Sequence, residues 1–374
     1  MAELDALLKR SLTPDDVPLA AEIIKNVPIY DCTALAQILE DPLGRRKLMA
    51  EWARGLLEGA GALVLRGAYT DTDVVDEATA VYEAVIDEER KTIGGGDADH
   101  FAAAGSNDRV WNALQKLAER APGVFLRYFG NAAIAAVCEA WLGPSYQMTA
   151  QINLVRPGGG SQQAHRDYHL GFQSAEAAAR FPTHVHHLSA GLTLQGAVAH
   201  CDMPIESGPT KLLPFSQGFG AGYVAFRRQE FRALFEARHI QLPLAKGDAL
   251  FFSPALFHAA GANSSTNIHR MANLLQVSSA FGRAMESVDR TKICSLLYPY
   301  ALAVWDLMAP SDLSAAIAAA AEGYAFPTNL DSDPPKAGLA PESQAAFFAR
   351  ALAKGMPKDD FETHLHAMAH ARRA

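Results

Sequence analysis

Four residues stand out for the chemistry they can do together. In Gln163-Ala-His-Arg-Asp-Tyr-His169 a histidine and an aspartate lie two apart, as His165 and Asp167. Residues i and i+2 of an extended segment point to the same side. An imidazole nitrogen and a carboxylate oxygen can then converge on one cation. A third ligand is available in His258, 93 positions after His165 and just past a candidate strand, Gly247 to Phe252. Two histidines and one carboxylate on one face of an octahedral ion leave three positions open. That geometry suits iron(II), with a bidentate oxoacid and then O2 filling the open positions. Arg270 follows His258 by 12 positions, about the length of an outgoing and a returning strand. A planar guanidinium pairs with a carboxylate through two parallel hydrogen bonds. The distal end of 2-oxoglutarate needs such a partner.

These side chains need a rigid β frame, and the sequence offers one after Pro144. Gln147 to Val155 reads as a strand stopped by RPGGG. His187 to Val198, Lys211 to Pro214, His239 to Leu244, Ala249 to Phe252 and Met271 to Phe281 read the same way. Short strands bounded by Gly and Pro, with no helices between them, indicate an antiparallel sandwich or jelly roll. Strand alternation puts Gln151 and Asn153 on one face, and Thr193 and Gln195 on one face of a later strand. Either pair can reach the oxoglutarate carboxylates, or line a polar outer face.

Helices frame this core. Leu48, Trp52 and Leu56 recur at i+4, and Val74, Ala78, Val81, Tyr82 and Val85 repeat the pattern. A further helix fits Val124 to Trp141, ended by Gly143-Pro144. Gly61 to Arg66 (GALVLR) is short and apolar between glycines, as a buried strand is. Helices return from about Pro299, interrupted by FPTNLDSDPPKAG, and the tail HARRA closes a solvated helix.

Composition narrows the function. A net charge of −8 with no basic run argues against nucleic acid. The alanine-rich stretch Ala315 to Ala321 is too short to span a bilayer, so no membrane role is expected. Cys32, Cys138, Cys201 and Cys294 are widely spaced without a CxxC pair and read as reduced thiols. With no secretory pattern at the start, the expected location is cytoplasmic. Two other readings remain open. His169, His184, His186, His187 or His200 can join His165 and Asp167 around zinc, as in a metal-dependent hydrolase. A jelly roll can also serve as a non-catalytic binding protein.

The stretches QQAHRDYHLGF, CDMPIESGPTKLLPFSQ and KGDALFFSPALFHAAGANSSTNIHR together resemble the phytanoyl-CoA dioxygenase family. That family's His-x-Asp-aromatic motif matches His165 to Tyr168. Its Gly-Pro-x-x-x-x-Pro-x-Ser element matches Gly208-Pro209 to Pro214-Phe215-Ser216. Its distal His, Gly-x-Asn turn and Arg match His258, Gly261-Ala-Asn263 and Arg270. The resemblance covers roughly residues 145 to 282, with GALVLRG as a first core strand. There are three departures. The family's usual Pro-Gly-Ser-His becomes Pro214-Phe-Ser-Gln217, the Trp that often precedes the first His becomes Ala164, and the long C-terminal part has no counterpart in the family.

The resemblance implies an α+β fold with a double-stranded β-helix core, also called a jelly roll or cupin-like fold. With the flanking helices wrapped round this core, the simplest organisation is one dioxygenase domain over residues 1–374. Residues 1–142 form a helical part with a strand near 61–66, 143–285 a jelly-roll core with the metal site, and 286–374 a helical extension. The resemblance also implies Fe(II), 2-oxoglutarate and O2, and a small-molecule substrate hydroxylated with release of succinate and CO2. Halogenating relatives replace the carboxylate by a small residue. With Asp167 in place, hydroxylation is the expected chemistry. Phe101, Arg109, Trp111 and Tyr168 are expected near the substrate.

Overall fold

Residues alternate sides along Arg270–Ser278, and the two sides meet different surroundings. Met271, Leu275 and Val277 are buried in the main apolar core, while Ala272, Leu274 and Gln276 line a cavity. A strand with period 2 therefore divides helices on one side from a binding space on the other. The computed structural model describes residues 1–92, 106–167, 169–336 and 338–373. Phe101 and Tyr168 lie outside the described residues.

In chain order the strands are β1 (Glu22–Ile24), β2 (Val27–Asp31), β3 (Ala62–Arg66), β4 (Asn107–Val110), β5 (Gln147–Val155), β6 (Thr193–Ala199), β7 (Lys211–Leu213), β8 (Ala249–Phe252), β9 (Phe257–Ala259) and β10 (Arg270–Ser278). Eight of them form one sheet in the order β1-β2-β3-β8-β6-β10-β5-β4. Only β2 and β3 run parallel in it. Strands β7 and β9 make a second, small sheet. Isolated bridges at His165–His258 and Leu212–Ile240 extend it. Residues of both sheets line the cavity, as expected of a double-stranded β-helix.

Helices cover the outer face of the large sheet. Leu48, Trp52 and Leu56 of the helix Pro42–Leu57 are fully buried, as their i+4 spacing requires. The same apolar cluster holds Tyr82, Leu275, Val277, Tyr298 and Phe361. Tyr298, on the helix Arg290–Val304, stacks at 3.7 Å on Phe361, on the helix Lys358–Ala371. The C-terminal helices thus share the core of the N-terminal ones. No helix among the described residues is long and apolar enough to cross a membrane, and all four cysteines are free.

Several elements differ from the sequence reading. The helix expected over Val124 to Trp141 is two helices, Pro122–Phe129 and Ala132–Leu142. A Cβ on Gly130 would lie 2.2 Å from the Leu126 carbonyl oxygen and from Met308 Cε. Asn131 then starts the second helix by accepting from the Ile134 N–H at 3.0 Å. The strand expected from His187 starts only at Thr193, because Thr183–Gly191 is a helix begun after Pro182. His239 to Leu244 forms only the bridges Leu212–Ile240 and Met203–Leu244. Pro243 lacks an N–H for a continuous ladder. Helices also lie between the core strands, where none was expected. In Gln229–Arg238 the buried Phe231 and Phe235 carry the i+4 signal.

One buried histidine belongs to the frame. Thr79 Oγ1 donates to the Val75 carbonyl at 2.7 Å, so its oxygen accepts from His200 Nδ1 at 2.8 Å. His200 Nε2 then accepts the Tyr128 hydroxyl at 2.7 Å. Burial pushes this imidazole down to about 3. The unfolded chain binds that proton near pH 6.5. Stability from a neutral buried His200 is therefore present above about pH 6.5 and is lost as pH falls below it. The expected slope is up to about 1.4 kcal/mol per pH unit. Urea unfolding between pH 6.5 and 5 should show that slope in the wild type and a flatter one in His200→Gln. Equal slopes would contradict this assignment.

Candidate metal centre

The His165–His258 bridge creates the site. The His165 N–H donates to the His258 carbonyl at 3.0 Å, and the His258 N–H donates back at 3.2 Å. The two rings then sit with centroids 4.5 Å apart. Asp167, two residues on, brings Oδ1 to 3.5 Å from His165 Nε2 and Oδ2 to 3.7 Å from His258 Nε2. Among the described residues this is the one group of three such side chains whose donor atoms all lie within 4.8 Å of one another.

Each imidazole is turned by its own backbone. His165 Nδ1 lies 2.8 Å from the Gln163 carbonyl, and His258 Nδ1 lies 2.9 Å from the Leu256 carbonyl. A carbonyl only accepts, so each Nδ1 carries the proton and each Nε2 presents its lone pair to the cluster. Burial opposes the charge on Asp167, but the two imidazoles outweigh it and hold the carboxyl well below the usual range. Burial, with repulsion from His165, pushes His258 down. Burial also opposes a charge on His165, but Asp167 outweighs it and raises that imidazole. Two imidazole nitrogens and one carboxylate oxygen fit a divalent transition metal such as iron(II), which displaces any proton at His165 Nε2 on binding.

The residue between His165 and Asp167 anchors the loop from behind. Arg166 is buried, and its Nη2 donates to the carbonyls of Ser216 and Phe219 at 2.7 and 3.2 Å. Its guanidinium lies 4.8 Å from the centre of the Phe257 ring. Ser216 Oγ accepts the Phe257 N–H at 2.8 Å. One serine thus ties the His-x-Asp loop to β9, the strand that carries His258. Sequence reasoning missed Arg166, although a charged residue between His165 and Asp167 must find a partner on the opposite face.

Arg270 begins β10 and lines the same cavity, of about 670 Å³. Its Nη1 donates to the carbonyls of Ser207 and Gly261, each at 3.1 Å. These carbonyls come together because two glycines let their backbones touch. Gly208 has φ +76, and a Cβ there would lie 2.3 Å from the Ala262 carbonyl oxygen. A Cβ on Gly261 would lie 2.8 Å from the Gly208 and Pro209 carbonyl oxygens. Asn263, almost fully buried, holds the turn by donating to the Val155 and Ile268 carbonyls at 2.9 and 2.8 Å. Burial lowers Arg270 to about 10, and among the described residues no carboxylate pairs with it.

Gln151, Asn153 and Gln195 also line the cavity, as do Arg109 and Trp111, whose side chains stack 5.2 Å apart. Thr193 does not line it, because it sits at the far end of β6, opposite Ser278. Gln195 reaches Asp167 directly, with Nε2 2.6 Å from Oδ2. The other histidines are occupied elsewhere. His169 Nε2 donates to the Arg283 carbonyl at 2.6 Å, and His186 Nε2 to the Ala178 carbonyl at 3.0 Å. His184 and His187 are exposed on the helix Thr183–Gly191, and His200 is held by Thr79 and Tyr128.

The family model described as phytanoyl-CoA dioxygenase (PhyH) matches residues 57–272, more than half of the chain. The match takes in His165, Asp167, His258 and Arg270. The chain belongs to the phytanoyl-CoA dioxygenase family. It is thereby related to the 2-oxoglutarate-dependent non-haem iron oxygenases. No curated protein is a significant match. Among solved structures it is similar to the non-haem alpha-ketoglutarate-dependent epimerase SnoN from nogalamycin biosynthesis, at 21% identity and a TM-score of 0.42. That similarity covers 64% of this chain and 85% of SnoN. It is also similar to the carbocyclase SnoK from the same biosynthesis, at 19% identity and a TM-score of 0.45, covering 66% and 90%. SnoN has been crystallised with Fe3+, alpha ketoglutarate and nogalamycin RO.

Within the phytanoyl-CoA dioxygenase family, the departures here have local causes. Phe215 stands where the family usually has glycine, and it keeps the left-handed backbone, φ 70, that glycine favours. Gln217, in place of histidine, donates to the Gly59 carbonyl at 2.8 Å. Ala164 packs in a cluster with Phe219, Phe231, Phe235 and Phe257. These aromatic rings fill the region beside the position where a tryptophan often stands.

The ligand set makes a direct prediction. His165→Ala, Asp167→Ala and His258→Ala should each weaken iron(II) binding at least about a hundredfold in anaerobic titration. Their melting temperatures without metal should stay close to the wild type. Retained affinity in any one variant would remove that residue from the set.

Proposed function

We propose that this protein is an Fe(II)- and 2-oxoglutarate-dependent dioxygenase that hydroxylates a small molecule, with release of succinate and CO2. The observation that carries the reading is Arg270. A buried guanidinium without a carboxylate partner shares one cavity with a two-histidine, one-carboxylate cluster. Burying an unpaired charge is costly, and a dicarboxylate ligand supplies the missing anion.

In this reading His165, Asp167 and His258 hold iron(II) by one face. Iron, when bound, supplies O2 activation coupled to oxidative decarboxylation of 2-oxoglutarate. Arg270 binds the distal carboxylate, oriented by the Ser207 and Gly261 carbonyls. Met203, Leu244 and Phe252 line the cavity with apolar surface and keep water from the reacting groups. Gln151 and Asn153 are polar groups on the wall for the oxoacid or the substrate. Arg109, Trp111, Phe172 and Met285 line the cavity too, and we assign them to substrate binding. The cavity volume suits a small organic molecule. A zinc hydrolase draws no support, because none of the additional histidines lies in the cluster.

Succinate formation that requires iron(II) and oxoglutarate, measured across a panel of small molecules, tests the activity. Arg270→Ala should raise the apparent KM for 2-oxoglutarate at least about tenfold, since losing a charge-assisted carboxylate pair costs about 2–4 kcal/mol. Iron(II) affinity should stay within about twofold. An unchanged KM would assign the carboxylate elsewhere. Arg156 is a poor substitute, because it is paired with Asp108. With Asp167 as a ligand, no position is free for a halide. Mass spectrometry of product formed in chloride-rich buffer should therefore show oxygen insertion or hydrogen removal, and a chlorinated product would contradict the ligand set.

A further inference from the structure

The three ligands are not held in the same way. His165 and His258 are fixed by their mutual backbone bridge, and each ring is turned by its own carbonyl. Asp167 lies two residues beyond that bridge, outside any strand. Among the described residues, the side chain that donates to it from the rigid frame is Gln195. This residue lies within β6, opposite Phe252 of β8 and Gln276 of β10. It is 4% exposed, and its Nε2 donates to Asp167 Oδ2 at 2.6 Å.

The amide's orientation is forced. An ionised carboxylate only accepts, so Gln195 must present nitrogen to it. Its Oε1 is then buried with no hydrogen-bond partner among the described residues. An amide placed to complete the hydrogen bonding of the sheet would satisfy both ends. This one pairs with Asp167 and leaves its own oxygen unmatched. Its engagement of Oδ2 also leaves Oδ1 as the oxygen free to meet a cation. A carboxylate gripping the metal with both oxygens would fill one of the three positions that the oxoacid and O2 require.

We propose that Gln195 is a positioning residue that fixes Asp167 for one-oxygen binding of the metal and so keeps the open face open. The proposal rests on the metal-site reading above. It also moves Gln195 from the oxoacid, where strand alternation put it, to the metal ligand.

The test is a double-mutant cycle in iron(II) affinity, measured by anaerobic titration on the full chain, with thermal melting as the control for folding. Gln195→Met keeps length and removes the donor. It should weaken iron(II) binding about tenfold to a hundredfold, as loss of a ligand's outer partner does, with the apo melting temperature little changed. In an Asp167→Ala background the same substitution should change the iron(II) affinity less than about twofold. Should Gln195→Met fail to fold, Gln195→Asn keeps an amide in the sheet but draws it back from Asp167, and the same loss is expected. Wild-type affinity in the single variant, or an equal loss in both backgrounds, would overturn the proposal. A wild type that binds no iron(II) would instead defeat the metal-site reading itself.

Discussion

Two backbone hydrogen bonds between His165 and His258 join segments far apart in the chain, and the site is built outward from them. Each such bond contributes only about 0.5–1.5 kcal/mol net to stability. Their larger effect is geometric, because they set two imidazoles side by side at one register, with ring centres 4.5 Å apart. Supports behind the bridge keep that register. Ser216 accepts from β9 through its hydroxyl and from Arg166 through its carbonyl. The loop with His165 and Asp167 is thus held on both sides, although it is not a regular strand.

A second constraint fixes the other end of the cavity. Gly208 and Gly261 allow a backbone approach that no side chain would permit, and the Ser207 and Gly261 carbonyls converge on Arg270. Carbonyl dipoles orient the guanidinium without neutralising it. Burial lowers its pKa, which means the folded protein carries a cation at some cost. A bound carboxylate offsets that cost, so affinity for an anion is built into a strained electrostatic arrangement. The triad differs, since its two imidazoles already favour the ionised form of the Asp167 carboxyl, which stands ready for a cation.

Much of this was legible in the sequence because strands and metal ligands have strict spacing. Strands β3, β5 and β8 fall where their apolar runs and turn residues put them. That His165, Asp167 and His258 come together, with Arg270 in the same cavity, could be expected from side-chain chemistry and spacing. What escaped depended on tertiary partners. Arg166 looks like a spacer until Ser216 and Phe219 are in place. Gln195 looks like an oxoacid contact until the Asp167 carboxylate is seen beside it, and Thr193 shares its face but lies too far along the strand. The histidine-rich THVHH segment reads as loop and strand because a histidine run has no marked apolar period. It folds as a helix after Pro182. The single helix drawn through Gly130 failed because Gly130 leaves the helical conformation and Asn131 caps a new helix, a local Gly-Asn signal that the apolar pattern masked.

In the proposed function one cavity holds iron(II) by His165, Asp167 and His258 and an oxoacid by Arg270. Anaerobic addition of 2-oxoglutarate to the iron(II)-loaded protein tests it most directly. A chelating oxoacid on iron(II) should give a weak visible charge-transfer band that saturates with oxoglutarate. That band is expected in the wild type. Iron(II) bound with no band at saturating oxoglutarate would contradict the proposed arrangement.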